Sequence, residues 1–209
     1  MAPPIVTVAQ WGATPAPHAF PLARARGIVL HETNSPNRAP AGAGELEAAH
    51  ALARNIQADH IERGYEDTGE HFTISRGGII LEGRHGSIDA AARGLVPQGA
   101  HAGNLEANTS YFGIELEGNY TDPRDAPPAP QWRALVRLTD WLLHRSRLPS
   151  SRSTITPHKQ WSATGCPGHL TERIPDLARA VQIRSAIRGG LALSAAAGAI
   201  LLVRAAVSR

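Results

Sequence analysis

Three side chains able to bind a metal stand far apart in this 209-residue sequence: His31, His158 and Cys166. His31 closes the run Gly27-Ile28-Val29-Leu30, which reads as a buried strand whose exit residue lies at the sheet edge. His158 and Cys166 share a loop in which Gly165 precedes the cysteine and Pro167-Gly168 follows it, a composition that can bend both side chains toward one point. Two neutral imidazoles and one thiolate would supply three zinc ligands and leave a fourth position for water, the layout of a catalytic zinc site. Taken singly, each residue has a plainer reading: a strand-end histidine packs or faces solvent, and a free cysteine is a small buried hydrophobe. Cys166 is the only cysteine, which excludes an intramolecular disulfide framework and every cysteine-rich zinc ribbon.

Positioning such a set requires a sheet and helices, and the apolar pattern supplies both. After the strand at 27–30, ending at His31-Glu32-Thr33, a helix is expected from about Glu45 to Arg63, with Leu46, Ala49, Leu52, Ala53, Ile56 and Ile61 on one stripe. Residues 70–75 and 79–82 flank Arg76-Gly77-Gly78 and predict a β-hairpin. A further strand is expected at 111–118, where period two puts Phe112, Ile114 and Leu116 on one face and Glu115 and Glu117 on the other. A proline-rich loop at 121–130 precedes a helix carrying Trp132, Leu135, Val136, Leu138, Trp141 and Leu142, and a loop at 148–172 precedes a helix near 174–188. Strands alternating with helices imply an α/β fold with a mixed central β-sheet flanked by helices. Residues 1–26 are Pro- and Ala-rich and aperiodic, an arm laid over the domain with Trp11 as its packing anchor.

Composition bounds the function. Hydrophobic residues are 42% and charged residues 19% of the chain, so disordered, collagen-like and polytopic membrane classes are excluded. A net charge of +3 is far below that of a dedicated nucleic-acid binder, and no nucleic-acid partner is expected. The opening MAPPIVTVAQWG has neither the basic region nor the apolar run of a secretory signal, so retention inside until release, or exit by another route, is expected. No HExxH helix motif supports a zinc peptidase of that type.

Six segments in order resemble the zinc-dependent N-acetylmuramoyl-L-alanine amidases related to phage lysozyme-type amidases and peptidoglycan recognition proteins. They are Trp11-Gly12-Ala13, Ile28-Val29-Leu30-His31, Gly69-Glu70-His71-Phe72, Gly99-Ala100-His101-Ala102-Gly103, Gly113-Ile114-Glu115-Leu116-Glu117-Gly118-Asn119-Tyr120, and Pro157-His158 through Thr164-Gly165-Cys166-Pro167-Gly168. The resemblance implies an amidase catalytic domain over 27–183 and one zinc ion (Zn2+) per chain on His31, His158 and Cys166. It also implies hydrolysis of the amide between N-acetylmuramic acid and the L-alanine of the stem peptide. Peptidoglycan or a muropeptide would be the partner, and the protein a monomer. Glu70 stands where many relatives have a helper tyrosine, while Glu115 matches the glutamate that other members use, so two carboxylates compete for the role of base. Thr164 stands where many relatives have a lysine and would stabilise an oxyanion through its hydroxyl. His101 is expected on the substrate side, and His71 as a packing histidine. The rival reading is a non-catalytic peptidoglycan-binding module on the same fold.

Residues 184–209 lie beyond the resemblance. From Gly189 to Val203 there is no charge, and at 1.5 Å per residue this stretch would span only about 22 Å of a roughly 30 Å hydrocarbon core. Arginines at 184, 188, 204 and 209 bracket it. A C-terminal hydrophobic helix over 189–207 that contacts a membrane is expected, since an all-round apolar helix has no polar face to show water.

Overall fold

The computed structural model describes the backbone of residues 1–207 and the side-chain surroundings of residues 1–188. The chain runs α1 (Val8–Trp11), β1 (Leu22–Arg24), β2 (Gly27–Glu32), α2 (Glu45–Glu62), β3 (Phe72–Ile74), β4 (Ile80–Glu82) and α3 (Ser87–Ala92). It continues with β5 (Leu95–Pro97), α4 (Leu105–Ser110), β6 (Tyr111–Leu116), α5 (Ala129–Ser146), β7 (Ile155–Pro157) and α6 (Leu170–Val207). Five strands form one mixed sheet in the order β4-β3-β6-β2-β7, with only β3–β4 antiparallel; β1 and β5 make a separate antiparallel pair.

Side-chain alternation divides this sheet into two different faces. Ile28 and Leu30 of β2, Phe72 and Ile74 of β3, Phe112, Ile114 and Leu116 of β6 and Ile155 of β7 point to one side. There they bury against Leu135, Leu138 and Trp141 of α5 and Leu170, Ile174, Leu177 and Val181 of α6. This is the main core, and the helical period of both helices is what supplies it. The opposite face is polar: the parallel register sets His31 beside Glu115 and Glu115 beside Thr73, one row across three strands.

Several elements differ from the expectation. The arm is not aperiodic: α1 opens on a capping box in which the Thr7 hydroxyl accepts from Gln10 N–H and the Gln10 side chain accepts from Thr7 N–H. Val6 bridges to Leu81, and the buried Trp11 donates its indole N–H to the Glu82 carbonyl at 2.8 Å. The hairpin strands are shorter than expected, and β6 ends at Leu116, which leaves Glu117 beyond the strand. Within the loop at 148–172 the three-residue β7 forms the sheet's edge, too short for a two-residue period to show. The last helix begins at Leu170 and runs on without a break to Val207, across the expected boundary at 183/184. No helix among the described residues is long and apolar enough to cross a membrane, and the side chains expected to contact one, at 189–207, lie outside the described residues.

The long β2–α2 loop is held by one partly buried ionic knot. Arg38 donates to both carboxylate oxygens of Glu117 and to both of Glu45, while Glu45 also accepts from Ala41 N–H, Ser75 O–H and Gly77 N–H. Burial alone would raise the Glu45 carboxyl, but the bonds from Arg38, Ala41, Ser75 and Gly77 outweigh it and hold the group at about 2. A folded pKa below the unfolded value gives stability that is complete above about pH 4.5 and is lost as pH falls toward 2. Glu45→Gln should therefore cost about 3 kcal/mol at neutral pH. In urea titrations it should also lose less further stability than the wild type between pH 5 and pH 3. An unchanged acid limb would remove Glu45 from this role.

Candidate metal centre

Tertiary structure brings the three predicted ligands together. His31 is the fifth residue of β2, His158 starts a short 3-10 turn directly after β7, and Cys166 lies in the loop leading to α6. One ligand atom from each lies within 4.8 Å of the others, a group able to hold a metal ion. The His31 and His158 ring centroids are 4.4 Å apart, and Cys166 Sγ is 4.0 Å from His31 Nδ1.

The cysteine loop is anchored from below. The Glu32 N–H donates to Cys166 Sγ at 3.4 Å, Lys159 N–H to the Cys166 carbonyl and His169 N–H to the Tyr120 carbonyl. Gly168 has φ +58°, and a Cβ there would stand 2.3 Å from Tyr120 O, so only glycine allows the loop to close against the end of β6. Thr164 Oγ1 accepts from Cys166 N–H at 3.2 Å, which shapes the turn and leaves the hydroxyl hydrogen available as a donor.

A hydrogen-bond relay determines which imidazole nitrogen is presented. His101 Nε2 lies 3.1 Å from the Tyr111 carbonyl, which can only accept, so Nε2 carries the hydrogen. Burial first, and then neighbouring histidines, hold both His101 and His31 well below the usual imidazole range, so both rings are neutral. His101 Nδ1 is then a bare acceptor, and at 3.0 Å it takes the hydrogen of His31 Nε2. His31 Nδ1 is consequently left as a lone pair facing Cys166 and Glu70. At His158, burial likewise lowers the pKa, Nε2 meets Ser162 Oγ at 2.8 Å, and Nδ1 is buried without a partner. Cys166 is pushed up to about 12 by burial, so its thiolate requires a cation beside it. The lone pair of His31 Nδ1, the unpartnered Nδ1 of His158 and a thiol in want of a cation fit a divalent metal.

Two carboxyls border this set. Glu70 Oε1 lies 4.0 Å from His31 Nδ1, and Glu70 Oε2 lies 3.8 Å from His60 Nδ1. Glu115 is His31's partner in register. Each glutamate has one buried oxygen, Oε2, without a partner. Burial raises both above the usual carboxylate range, and Glu115 further because the charge of Glu70 adds to it.

Two further histidines lie close to this set. His101, expected on the substrate side, lies beneath His31 with both ring nitrogens engaged, and Gly113 makes room for it: a Cβ there would be 2.8 Å from His101 Cγ. His71 is a packing residue, bonded to Pro97 O and Gly113 N–H and pushed down to about 3 by burial. The Tyr111 carbonyl, the Ser162 hydroxyl and His60 were missed. A backbone acceptor has no residue type to reveal it, and Ser162 is marked only by its place four residues after His158.

Residues 21–169 match the family described as N-acetylmuramoyl-L-alanine amidase. The chain belongs to this family. It is similar to a peptidoglycan-recognition protein of Drosophila melanogaster, 28% identical over 174 residues that cover 81% of this chain and 85% of that protein. Among solved structures it resembles the endolysin N-acetylmuramoyl-L-alanine amidase LysCS from Clostridium intestinale URNW, with a TM-score of 0.55, 25% identity and coverage of 80% of this chain and 89% of that one. It also resembles Drosophila PGRP-LB, with a TM-score of 0.65, 25% identity and coverage of 82% and 92%. The mixed sheet flanked by helices is thus the amidase fold, shared by lytic enzymes and recognition proteins.

If the relay orients the first ligand, His101→Ala should weaken Co2+ or Zn2+ binding about 10–100-fold, because His31 loses the partner that fixes its tautomer. His101→Asn keeps an acceptor at the Nδ1 position and should recover part of that loss. Equal metal affinity for the wild type and His101→Ala, in a competition titration of folded protein, would dismiss the relay.

Proposed function

We propose that this chain is a zinc-dependent amidase that hydrolyses the amide between N-acetylmuramic acid and the L-alanine of the peptidoglycan stem. The observation that carries the reading is the convergence of His31, His158 and Cys166 beside two buried carboxyls with unpartnered oxygens. The similarity to an endolysin amidase and to peptidoglycan recognition proteins supports peptidoglycan or a muropeptide as the partner.

His31 Nδ1, His158 Nδ1 and Cys166 Sγ would hold the zinc. Zinc supplies a Lewis acid that polarises the scissile carbonyl and makes water more acidic. Glu70 and Glu115 then divide the proton work. Both are raised, but Glu115 carries the additional repulsion of Glu70, so Glu70 is the more easily ionised of the two. Glu70 accepts the proton of the attacking water as its oxygen bonds to the carbonyl carbon. It then gives that proton to the departing nitrogen as the C–N bond breaks, leaving the lactyl carboxylate and a free L-alanine amine. Glu115, protonated, donates a hydrogen bond toward the same space. The Thr164 hydroxyl hydrogen, free of the turn it shapes, is the donor for the developing oxyanion.

This division gives unequal results for the two amides. Glu70→Gln cannot take a proton and should lower kcat about 10²–10⁴-fold with zinc retained. Glu115→Gln keeps a hydrogen-bond donor and should be milder. The assay is release of new L-alanine amino termini from purified sacculi and from soluble muropeptides. If Glu115→Gln proves the more damaging, the roles are reversed; wild-type activity in both variants would refute the carboxylate mechanism.

Cys166→Ala should lose both metal and activity, since two imidazoles hold zinc poorly. Full zinc occupancy in that variant would overturn the ligand set. Zinc-loaded wild type that binds sacculi yet releases no L-alanine termini would instead assign the chain to non-catalytic recognition.

A further inference from the structure

The helices α5 and α6 bury one side in the core and leave an open groove of about 760 Å3 between their outer sides. Its apolar lining is Trp132 and Val136 from α5, Ala180, Ile183 and Ile187 from α6, and Met1 at the start of the chain. The two isoleucines are 54% and 59% exposed and one helical turn apart, whereas Ile174, nearer the start of the same helix, is buried. Large aliphatic side chains this open, aligned on one stripe, are unusual for a surface that faces only water.

The groove is framed by positive charge. Arg133 and Arg137 stand on the α5 side, and Arg184 and Arg188 on the α6 side, against the single carboxylate of Asp140. Arg184 and Arg188 both pair with Asp140, so one negative charge answers two of the four arginines. A second groove adjoins the first at Asp140 and Arg188 and adds Arg24, Arg93, Arg145 and Arg147. Directly after Arg188 the sequence enters its uncharged stretch, Gly189 to Val203, on the same helix α6.

We propose that the α5–α6 face docks on a bilayer surface bearing anionic phospholipids, with Ile183 and Ile187 entering the interface ahead of the apolar stretch 189–203. Arginine suits this position because its aliphatic stem covers apolar surface while its guanidinium reaches the phosphates. A stretch too short to span the hydrocarbon can still lie in the interfacial zone, where an all-round apolar surface need not face water. A second copy of the chain would also cover the isoleucines, but it would bring its own arginine rim against this one, a like-charge contact that anionic headgroups turn into attraction. Docking here is independent of the metal centre, because it is read without turnover.

The test is flotation of the full-length protein with vesicles of phosphatidylcholine alone and with one third phosphatidylglycerol. Binding should be at least about tenfold stronger on the anionic vesicles and should weaken with salt. Ile183→Asn combined with Ile187→Asn should reduce partitioning about tenfold or more, with unchanged melting and unchanged hydrolysis of soluble muropeptides. Arg133→Gln combined with Arg137→Gln should cost about fivefold per charge, and only on anionic vesicles. The proposal is overturned by failure of the wild type to float, by equal flotation of the isoleucine variant, or by equal binding to neutral vesicles. It is overturned equally by a dimer in light scattering that the isoleucine substitutions dissociate, which would assign the face to a second copy.

Discussion

The parallel pairing of β2 with β6 governs the geometry of this protein. Because side chains alternate along a strand, the register that buries Ile28, Leu30, Phe112 and Ile114 on one face must put His31 and Glu115 together on the other. A slip of one residue would drive the histidine and the glutamate into the α5–α6 core and expose the isoleucines. The energy that fixes the polar face with its candidate metal ligands is therefore hydrophobic burial on the reverse side of the same strands.

That polar face is costly to build. His31, Glu70, His71, His101 and Glu115 are all buried, and each would oppose folding if its polar atoms were left idle. The histidines solve this with backbone partners: Pro97 and Gly113 for His71, Tyr111 for His101, and His101 in turn for His31. Among the groups bordering the centre, Nδ1 of His158 and one oxygen on each of Glu70 and Glu115 remain unpartnered. Unsatisfied groups gathered where a metal and a substrate amide would meet mark a trade of stability for chemistry.

Precision comes from the periphery. The β2–α2 loop is tied through Arg38 to Glu45 on a helix and to Glu117 just past β6, so the outer end of the pivotal strand pair is clamped. The cysteine loop is tied through Gly168 and His169 to Tyr120, a few residues farther along the same connection. Both restraints act next to β6, and so hold in place segments that are distant in sequence but meet at the centre.

Much of this was legible in the residues themselves. The period of α2 and α5, the β-branched run before His31 and the alternation in β6 follow local rules, and the types and order of His31, His158 and Cys166 pointed to a metal. The short elements were not legible: α3, α4 and β7 are each six residues or fewer, held by their neighbours and not by their own pattern. Glu115 and Glu117 share a face by alternation, yet only Glu115 reaches the centre, because β6 ends between them and Arg38 takes Glu117. His101 offered two nitrogens to any partner, and the close approach of β6 at Gly113 leaves room for it to engage His31 and the Tyr111 carbonyl. Sequence by itself thus determined which chemical groups this protein owns and which stripes must be buried, since both depend on side chains and local periodicity. Tertiary structure alone decided which His31 nitrogen is left as a lone pair toward Cys166 and which glutamates border that histidine, because those depend on hydrogen bonds and charges between segments that meet only when the chain is folded.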